Sequence, residues 1–247
     1  MHHFLLWVVC CCSTLLLNAQ TSIAPPRNQL QVQFGLTSGY QYDNAARTTL
    51  PGAEALAPVG YSTGFEFLRF QPLADPFYLL YGTGAGLHIS RLRFRTSGSF
   101  RTGSLPPDRL TRTTAPHFYV KLGGGFRFGV WKGGGFYVDV AAQAGFQPRF
   151  STGISANTSN DMGQTVPIYT VRQAYNKANS LFLVPSAQVR YSRRITPETT
   201  WSLGLSFTIS DYELSEGTFE LFGDRENLFG TFTKNYDTLR LLMGFGF

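Results

Sequence analysis

The sequence predicts an all-β protein: a closed, antiparallel, eight-stranded, up-and-down transmembrane β-barrel. Three observations lead to this fold class. Apolar residues alternate with small or polar ones along eight stretches of the chain, which is the period of a strand with two unlike faces. The connections between these stretches are alternately long and short. The last stretch ends on an aromatic residue of its apolar face, an end that suits lipid better than water.

The composition agrees with this fold class. Of the 247 residues, 15% are aromatic, 26 are glycine and only 15% are charged, whereas about 25% charged is usual in soluble domains. The net charge of +6 lies wholly beyond residue 19. The basic residues form no compact cluster on a helix, so we expect no nucleic-acid partner and take anionic lipid headgroups as the counter-charge.

The first 19 residues are predicted to be a cleaved signal peptide. Phe4–Leu17 is apolar apart from Ser13 and Thr14 and is too short to cross a bilayer as a helix. Cleavage after Ala19 leaves residues 20–28 as a short periplasmic lead and residues 29–247 as the barrel. An uncleaved anchor helix is the alternative. All three cysteines lie in the signal, so the mature chain has no disulfide and no cysteine metal site.

The first three strands are predicted at Gln29–Tyr42, Val59–Phe70 and Phe77–Thr96. In the first, Leu30 to Leu36 alternate with glutamines, and Tyr40 and Tyr42 fall at the level of an aromatic girdle. The second has the least regular phase, because Leu68 and Phe70 interrupt its polar face. The third is long and turns glycines inward.

The next two strands, Phe118–Val130 and Phe136–Phe146, form a hairpin around a glycine-rich connection. If Val130 lies opposite Phe136, then Arg127 lies opposite Asp139 on the inner face, a register that their opposite charges favour. Strands at Ser180–Ser192, Thr200–Asp211 and Tyr236–Phe247 complete the eight. The segments Asp43–Pro58, Ser97–Pro116, Pro148–Asn179 and Tyr212–Asn235 are predicted as long loops, and both termini are predicted to be periplasmic.

The last strand places Leu239, Leu241, Met243, Phe245 and Phe247 on one face. This ending resembles the C-terminal signal strand of bacterial outer-membrane β-barrels, which implies insertion by the outer-membrane assembly machinery, with Phe245 and Phe247 as the signal. The whole mature chain resembles the small eight-stranded outer-membrane barrels of the OmpA/OmpX-like and porin-family type. The resemblance implies a location in the bacterial outer membrane, in contact with its lipid and lipopolysaccharide. A soluble barrel or jelly roll is the alternative.

The inner face carries a predicted charge network. Eight strands enclose a space that side chains just fill, and unpaired charges there would be expensive. Its members are Glu66, His88, Lys121, Arg127, Asp139, Arg190 and Arg240. We expect them to pair as a packed polar core. If a pore existed instead, the excess of basic residues would favour anions.

Two further motifs carry chemical hypotheses. His88-Ile89-Ser90 resembles the His-x-Ser motif of outer-membrane lipid A deacylases, which implies a lipid-modifying enzyme, but Arg91-Leu92-Arg93 stands where that family has Asn-Ala-Gly and no acid is assignable as a third member. Arg91, Arg93 and Arg95 share the outward face beyond the apolar residues and could bind lipopolysaccharide phosphates. The alternative is a solvated strand extension.

The sequence therefore predicts a non-enzymatic outer-membrane barrel with a structural role or a surface-recognition role through its long loops. The alternatives are a narrow channel for small, anionic solutes and a lipid A-modifying enzyme. No phosphate loop, dinucleotide fingerprint or metal-ligand cluster occurs, so we expect no cofactor. The acidic fourth loop, with its phenylalanines, could close over the barrel or contact an extracellular partner.

Overall fold

The structure is a computed structural model. It describes residues 27–39, 41–42, 53–56, 59–96, 108–159, 162–175, 181–210, 212–222 and 227–247. The predicted signal peptide, most of the lead that follows it and Tyr40 lie outside these residues, as does the side chain of Tyr42. No described helix is long and apolar enough to span a membrane.

The described residues form fourteen strands. Eight of them build the barrel: β1 (Asn28–Thr37), β4 (Gly60–Ala74), β5 (Phe77–Thr96), β6 (Asp108–Trp131), β7 (Gly134–Phe146), β10 (Leu181–Arg194), β11 (Thr200–Thr208) and β14 (Thr238–Gly246). The other six are β2 (Gln41–Tyr42), β3 (Ala53–Leu56), β8 (Phe150–Ser159), β9 (Thr165–Tyr175), β12 (Glu213–Phe222) and β13 (Asn227–Asn235).

The predicted fold class is confirmed. Each of the eight barrel strands pairs antiparallel with both of its neighbours, and the sheet closes where β1 pairs with β14, from Gln29 opposite Gly246 to Thr37 opposite Thr238. The connections are alternately long and short, so one end of the barrel has short turns and the other has long connections. We call them the short-turn end and the long-connection end.

The apolar face points outward, as a transmembrane barrel requires. In β1, Leu30, Val32 and Phe34 are 40% to 53% exposed. The glutamines between them are fully buried in the barrel. A soluble barrel would show the reverse arrangement. The predicted phase of the second strand also holds, because Leu68 and Phe70 are inward-facing and buried.

The short turns follow from local chemistry. Between β6 and β7, Lys132 and Gly133 both have positive φ, 47° and 76°, as a two-residue turn matched to the twist of a hairpin needs. The predicted turn at Gln71–Pro76 is shorter than expected, since β4 continues to Ala74. There Asp75 and Pro76 make the turn, and the peptide bond between them is cis.

The prediction that Pro148–Asn179 and Tyr212–Asn235 are loops is wrong. These segments contain β8, β9, β12 and β13, which join β2 in a five-stranded sheet at the long-connection end. Its inner positions include Val171, Phe219 and Phe232, each at most 2% exposed. Alternation with period two is therefore present here as well: in β12, the buried Phe219 and Leu221 alternate with the less buried Thr218 and Glu220.

Candidate functional site

The interior of the barrel is the first candidate site. The structure places all seven residues of the predicted charge network on the inner face of the wall, and each is at most 3% exposed. These residues are Glu66, His88, Lys121, Arg127, Asp139, Arg190 and Arg240. Their inward direction follows from the parity of the strands, since outward neighbours such as Phe65 and Val120 are more than half exposed.

Two ion pairs lie in this interior. The Lys121 ammonium lies 3.2 Å from the Glu66 carboxylate, and Arg190 Nε lies 3.0 Å from Asp139 Oδ2. Gln188 links the pairs: it accepts a hydrogen bond from Lys121 Nζ at 3.3 Å and donates one to Asp139. These contacts join β4, β6, β7 and β10 across the lumen, so the charges cross-link opposite parts of the wall.

The short-turn end of the lumen is closed by an apolar cluster. Its members come from three strands, β4, β5 and β7, and are at most 6% exposed: Leu68, Phe70, Tyr78, Leu80, Tyr137 and Ala141. The Arg190 guanidinium lies above this cluster, 4.3 Å from the Phe70 ring centre and 4.6 Å from that of Tyr137. Because aromatic faces attract cations, the charge is held against the cluster and the end of the lumen is filled.

The predicted register that places Arg127 opposite Asp139 is wrong. Val130 lies opposite Gly135 rather than Phe136, and a β-bulge between Arg127 and Gly129 shifts the pairing by one more residue. Arg127 therefore lies opposite Tyr137, and Asp139 lies opposite Gly125. Arg127 instead donates a hydrogen bond at 2.8 Å to Asp75 in the neighbouring turn. A bulge adds one residue to one strand, which an alternating pattern does not reveal.

The half of the lumen towards the long connections is polar and aromatic. Arg240 donates hydrogen bonds to Gln33 Oε1 at 2.8 Å and to Ser62 Oγ at 3.2 Å. Tyr119 Oη donates to Glu66 Oε1 at 2.7 Å and so connects this half to the ion pairs. Above these groups, Phe182 stacks on Tyr236 with ring centres 5.1 Å apart. The side chains therefore continue to the rim.

His88 faces the lumen beside His117, with ring centres 4.6 Å apart, and Tyr236 packs on both rings. His117 was not predicted, because Pro116 was taken as the end of a loop. Proline fits here because β6 pairs with β7 only as far as Phe118, which leaves Pro116 on a strand with one unpaired side. The alternation of His117, Tyr119 and Lys121 is the signal that could have revealed it.

The His88–Ser90 pair lacks the hydrogen bonds of a nucleophilic site. Both side chains are fully buried, and within the described ranges neither imidazole nitrogen of His88 nor Ser90 Oγ has a hydrogen-bond partner. An activated serine needs its base within hydrogen-bond reach and a third group that orients the base. Among the residues described, no group of three or more histidines, cysteines or acids could hold a metal ion.

Arg91 lies on the outer surface at the end of the apolar face. Its guanidinium carbon is 4.2 Å from the ring centre of the outward-facing Tyr61. Arg93 and Arg95 follow in β5 with the same parity, but their side chains are outside the described part of the structure. Phe245 and Phe247 at the C-terminus are each 60% exposed, and β14, which carries Phe245, forms the closing seam with β1.

A second candidate site lies on the five-stranded sheet. A groove of about 660 Å³ crosses β8, β9, β12 and β13. Most of its lining is polar or small, with one arginine, one glutamate and one phenylalanine: Ser151, Thr152, Gly153, Arg172, Gln173, Ala174, Glu216, Gly217, Thr218, Thr231, Phe232 and Thr233. Its volume is within the range of small-molecule pockets. The sequence did not predict this groove, because its residues were assigned to loops and the groove forms only when the four strands pair.

No protein-family model matches the chain, and no curated protein matches it in sequence. Solved structures of outer-membrane proteins resemble it. The outer membrane protein OprG from Pseudomonas aeruginosa aligns over 90% of this chain and 95% of its own, with 9% identity and a TM-score of 0.45. An outer membrane channel from Pseudomonas putida F1 aligns over 93% and 98%, with 12% identity and a TM-score of 0.31.

The transport unit of the autotransporter AIDA-I from Escherichia coli aligns over 97% of both chains, with 8% identity and a TM-score of 0.32. The first two are outer-membrane proteins by description. Likenesses this distant carry no argument about what this chain binds or transports. Nothing in them is particular to OmpA or OmpX.

Proposed function

We propose that the chain is a non-enzymatic outer-membrane protein whose barrel is a closed anchor and whose five-stranded sheet is an extracellular recognition surface. One observation carries the proposal. Ion pairs linked by hydrogen bonds and an apolar cluster fill the lumen. The five-stranded sheet at the long-connection end carries a groove of about 660 Å³.

The membrane location is supported by the outward apolar face. The stretch of β5 from Phe77 to Ile89 is about 41 Å of strand, or roughly 30 Å along the membrane normal at the usual tilt of barrel strands. That height matches the hydrocarbon core of a bilayer. The first charged outward residue of β5 is Arg91, directly past this stretch. Long connections outside and short turns in the periplasm are the usual orientation.

The recognition role is supported by the chemistry of the groove. Arg172 and Glu216 supply opposite charges, and the threonines supply hydroxyl groups that both donate and accept hydrogen bonds. Such a lining suits a polar ligand with several hydroxyl or amide groups, for example an oligosaccharide. Filling the groove by Thr218→Trp should abolish binding to an immobilised oligosaccharide panel, whereas Thr165→Trp, on an exposed residue that does not line the groove, should not.

A narrow channel remains the second candidate. It is favoured by buried polar atoms without hydrogen-bond partners in the described residues, which include both side-chain amide atoms of Gln31, the nitrogens of His88 and His117, and Ser90 Oγ. Such atoms are sites for ordered water. Water in this half of the lumen would still meet the apolar cluster at the short-turn end.

Planar-bilayer conductance of the refolded chain tests the closed anchor. We expect no steady current from the wild type, and a current after Leu68→Ala, Phe70→Ala and Leu80→Ala remove the apolar cluster. A steady wild-type current would contradict the proposal. If that current also lost anion preference after neutral replacement of Lys121, Arg127, Arg190 and Arg240, the channel would be the function.

A further inference from the structure

Two arginines face each other on the outer surface of the barrel. In the antiparallel pair of β5 and β6, Arg91 lies directly opposite Arg112. Both follow the parity of outward neighbours, Ile89 and Thr114, and the Arg112 side chain is exposed. Like charges directly opposite each other on one face of a sheet destabilise it. A bound anion would turn this repulsion into an attraction.

Arg91 differs from Arg93 and Arg95, the other arginines of β5, in the residues that lie opposite it. Arg95 is in register with Glu54 on one side and with Asp108 on the other. Arg93 lies between Leu56 and Leu110. Neither Arg91 nor Arg112 forms an ion pair within the described ranges.

Arg91 is held in place by an aromatic ring, and no described residue forms an ion pair with it. Tyr61 lies under its guanidinium at 4.2 Å, and its Nε is buried without a hydrogen-bond partner in the described part of the chain. A guanidinium stacked on an aromatic ring keeps its N–H groups in one plane, where they can bind two oxygens of a phosphate. A bound oxyanion would supply the acceptor that the described residues do not.

An apolar groove continues below the arginines on the same strands. Successive outward rungs run from Arg91 and Arg112 down to Thr83 and Val120. Around the lowest rungs, a groove of about 430 Å³ lies on the outer face, and its exposed apolar walls are Phe118, Val120, Phe146 and Leu181. Gly145 lies at its base, where a side chain would collide with Phe182 and the backbone of Phe118.

The spacing of the two features matches a lipid. Arg112 and Phe118 are about 20 Å apart along the strand, or roughly 15 Å along the membrane normal. That is about half the thickness of the hydrocarbon core. Arginines at the headgroup level and a groove about one acyl-chain length deeper are therefore arranged for one molecule with a phosphate and a fatty acyl chain.

We propose that Arg91 and Arg112 bind a phosphate of lipid A, the membrane anchor of lipopolysaccharide, and that one of its acyl chains occupies the groove between Phe118 and Leu181. This rests on the proposed outer-membrane location, in which the long-connection end faces the lipopolysaccharide leaflet. Lipid A suits the site better than a glycerophospholipid, because its phosphate monoester offers more free oxygens to two guanidinium groups.

The test is lipid retention by the full chain purified from outer membranes in detergent. The wild type should retain lipid A through detergent exchange, and Arg91→Gln with Arg112→Gln should lower retention at least about tenfold, since both charge-assisted contacts to the phosphate are lost. Arg193→Gln with Arg194→Gln removes two exposed arginines from the short-turn end and should change nothing. Ala144→Phe fills the groove from outside and should also lower retention.

Wild-type protein alone supplies a further test that needs no variant. Added lipid A should bind more tightly than lipid A from which the phosphates have been removed, and more tightly than inorganic phosphate. Equal binding of the dephosphorylated lipid, equal binding of inorganic phosphate, or retention of glycerophospholipid only would each overturn the proposal. Insertion into bilayers is measured on the same samples. A chain that inserts, but binds lipid A equally well without its phosphates, contradicts this inference alone. A chain that does not insert contradicts the proposed function.

Discussion

Glu66 and Lys121 form an ion pair although a whole strand separates them. Glu66 is on β4, Lys121 is on β6, and β5 runs between them with Gly84 opposite Glu66 and Gly82 opposite Lys121. Because the glycines present no side chain, the carboxylate and the ammonium meet over β5 at 3.2 Å. Glycine on β5 is therefore what permits the charges of its neighbours to pair.

Breaking this pair from one side should destabilise the barrel strongly. Lys121→Met leaves the fully buried Glu66 carboxylate without its cation, and an uncompensated buried charge costs about 3–5 kcal/mol. The double variant Glu66→Leu with Lys121→Met removes both charges and should be much closer to the wild type. The free energy of unfolding in urea, measured in lipid vesicles, checks this. Additive losses in the double variant would contradict the pairing.

Gly84→Val should be equally damaging for a steric reason. A Cβ at position 84 would lie 2.5 Å from the ring of Tyr119, whose hydroxyl holds Glu66. The clash displaces Tyr119 and with it the ion pair, so we expect a loss of several kcal/mol in the same urea assay. Gly153→Val is the matched control, since nothing lies within 4 Å of a Cβ there. A variant at position 84 as stable as the control would contradict the proposed packing.

The alternation of residues was sufficient to predict the eight barrel strands and the direction of their side chains. It worked because residues that face lipid are apolar, whereas the alternate residues that face the lumen are small or polar. It was insufficient in the hairpin of β6 and β7, where Val130 pairs with Gly135 rather than Phe136 and the bulge after Arg127 adds a further shift of one residue. Register depends on such single residues, and the pattern does not record them.

The five-stranded sheet escaped prediction for a different reason. Its strands lie beyond the lipid-facing part of the barrel. Outward positions such as Thr218 and Thr233 therefore carry polar residues like those of a loop. Their partners are distant in sequence, as in the pairing of Phe219 with Val171. The groove formed by these strands is consequently a product of tertiary structure. The lumen charges could be predicted because each follows from the parity of its own strand.

The register also predicts unequal roles for two aspartates. Asp75, which holds Arg127, is 68% exposed at the side chain, so Asp75→Asn should cost about 1 kcal/mol or less. Asp139 is buried with Arg190, so Asp139→Asn should cost about 3–5 kcal/mol. Urea unfolding of the two variants in parallel measures the difference. Similar losses would contradict the larger contribution assigned to the buried pair of Asp139 and Arg190.

Lys234, beyond the barrel in β13, should respond to pH. Burial lowers the pKa of Lys234 to about 8, and its ammonium donates a hydrogen bond to Thr37 at 2.7 Å. A pKa below that of the unfolded chain, about 10.4, means that the unfolded state binds more protons between these values. Stability should therefore rise as pH increases from 8 to 10.

The ¹³Cε chemical shift of Lys234 should titrate near pH 8, and Lys234→Met should remove both this transition and the matching rise in thermal stability. Titration of Lys234 near pH 10.4 would contradict the lowered pKa. The variant also identifies the resonance, because its signal must be the one that disappears.

The terminal phenylalanines should matter for assembly and hardly at all for the folded barrel. Phe245 and Phe247 are exposed on the outer face, so truncating them leaves no cavity in the lumen. Phe245→Ala with Phe247→Ala should refold in detergent like the wild type but lose most of its assembled fraction in cells. The matched control is Phe34→Ala with Phe65→Ala, two phenylalanines exposed on the outer face of β1 and β4, which should assemble normally. The heat-dependent shift in gel mobility of membrane fractions measures assembly.

An equal loss of assembled fraction in both variants would mean that the terminal phenylalanines act only through their contact with lipid. A loss confined to the C-terminal variant would mean that the assembly machinery recognises this end of the chain.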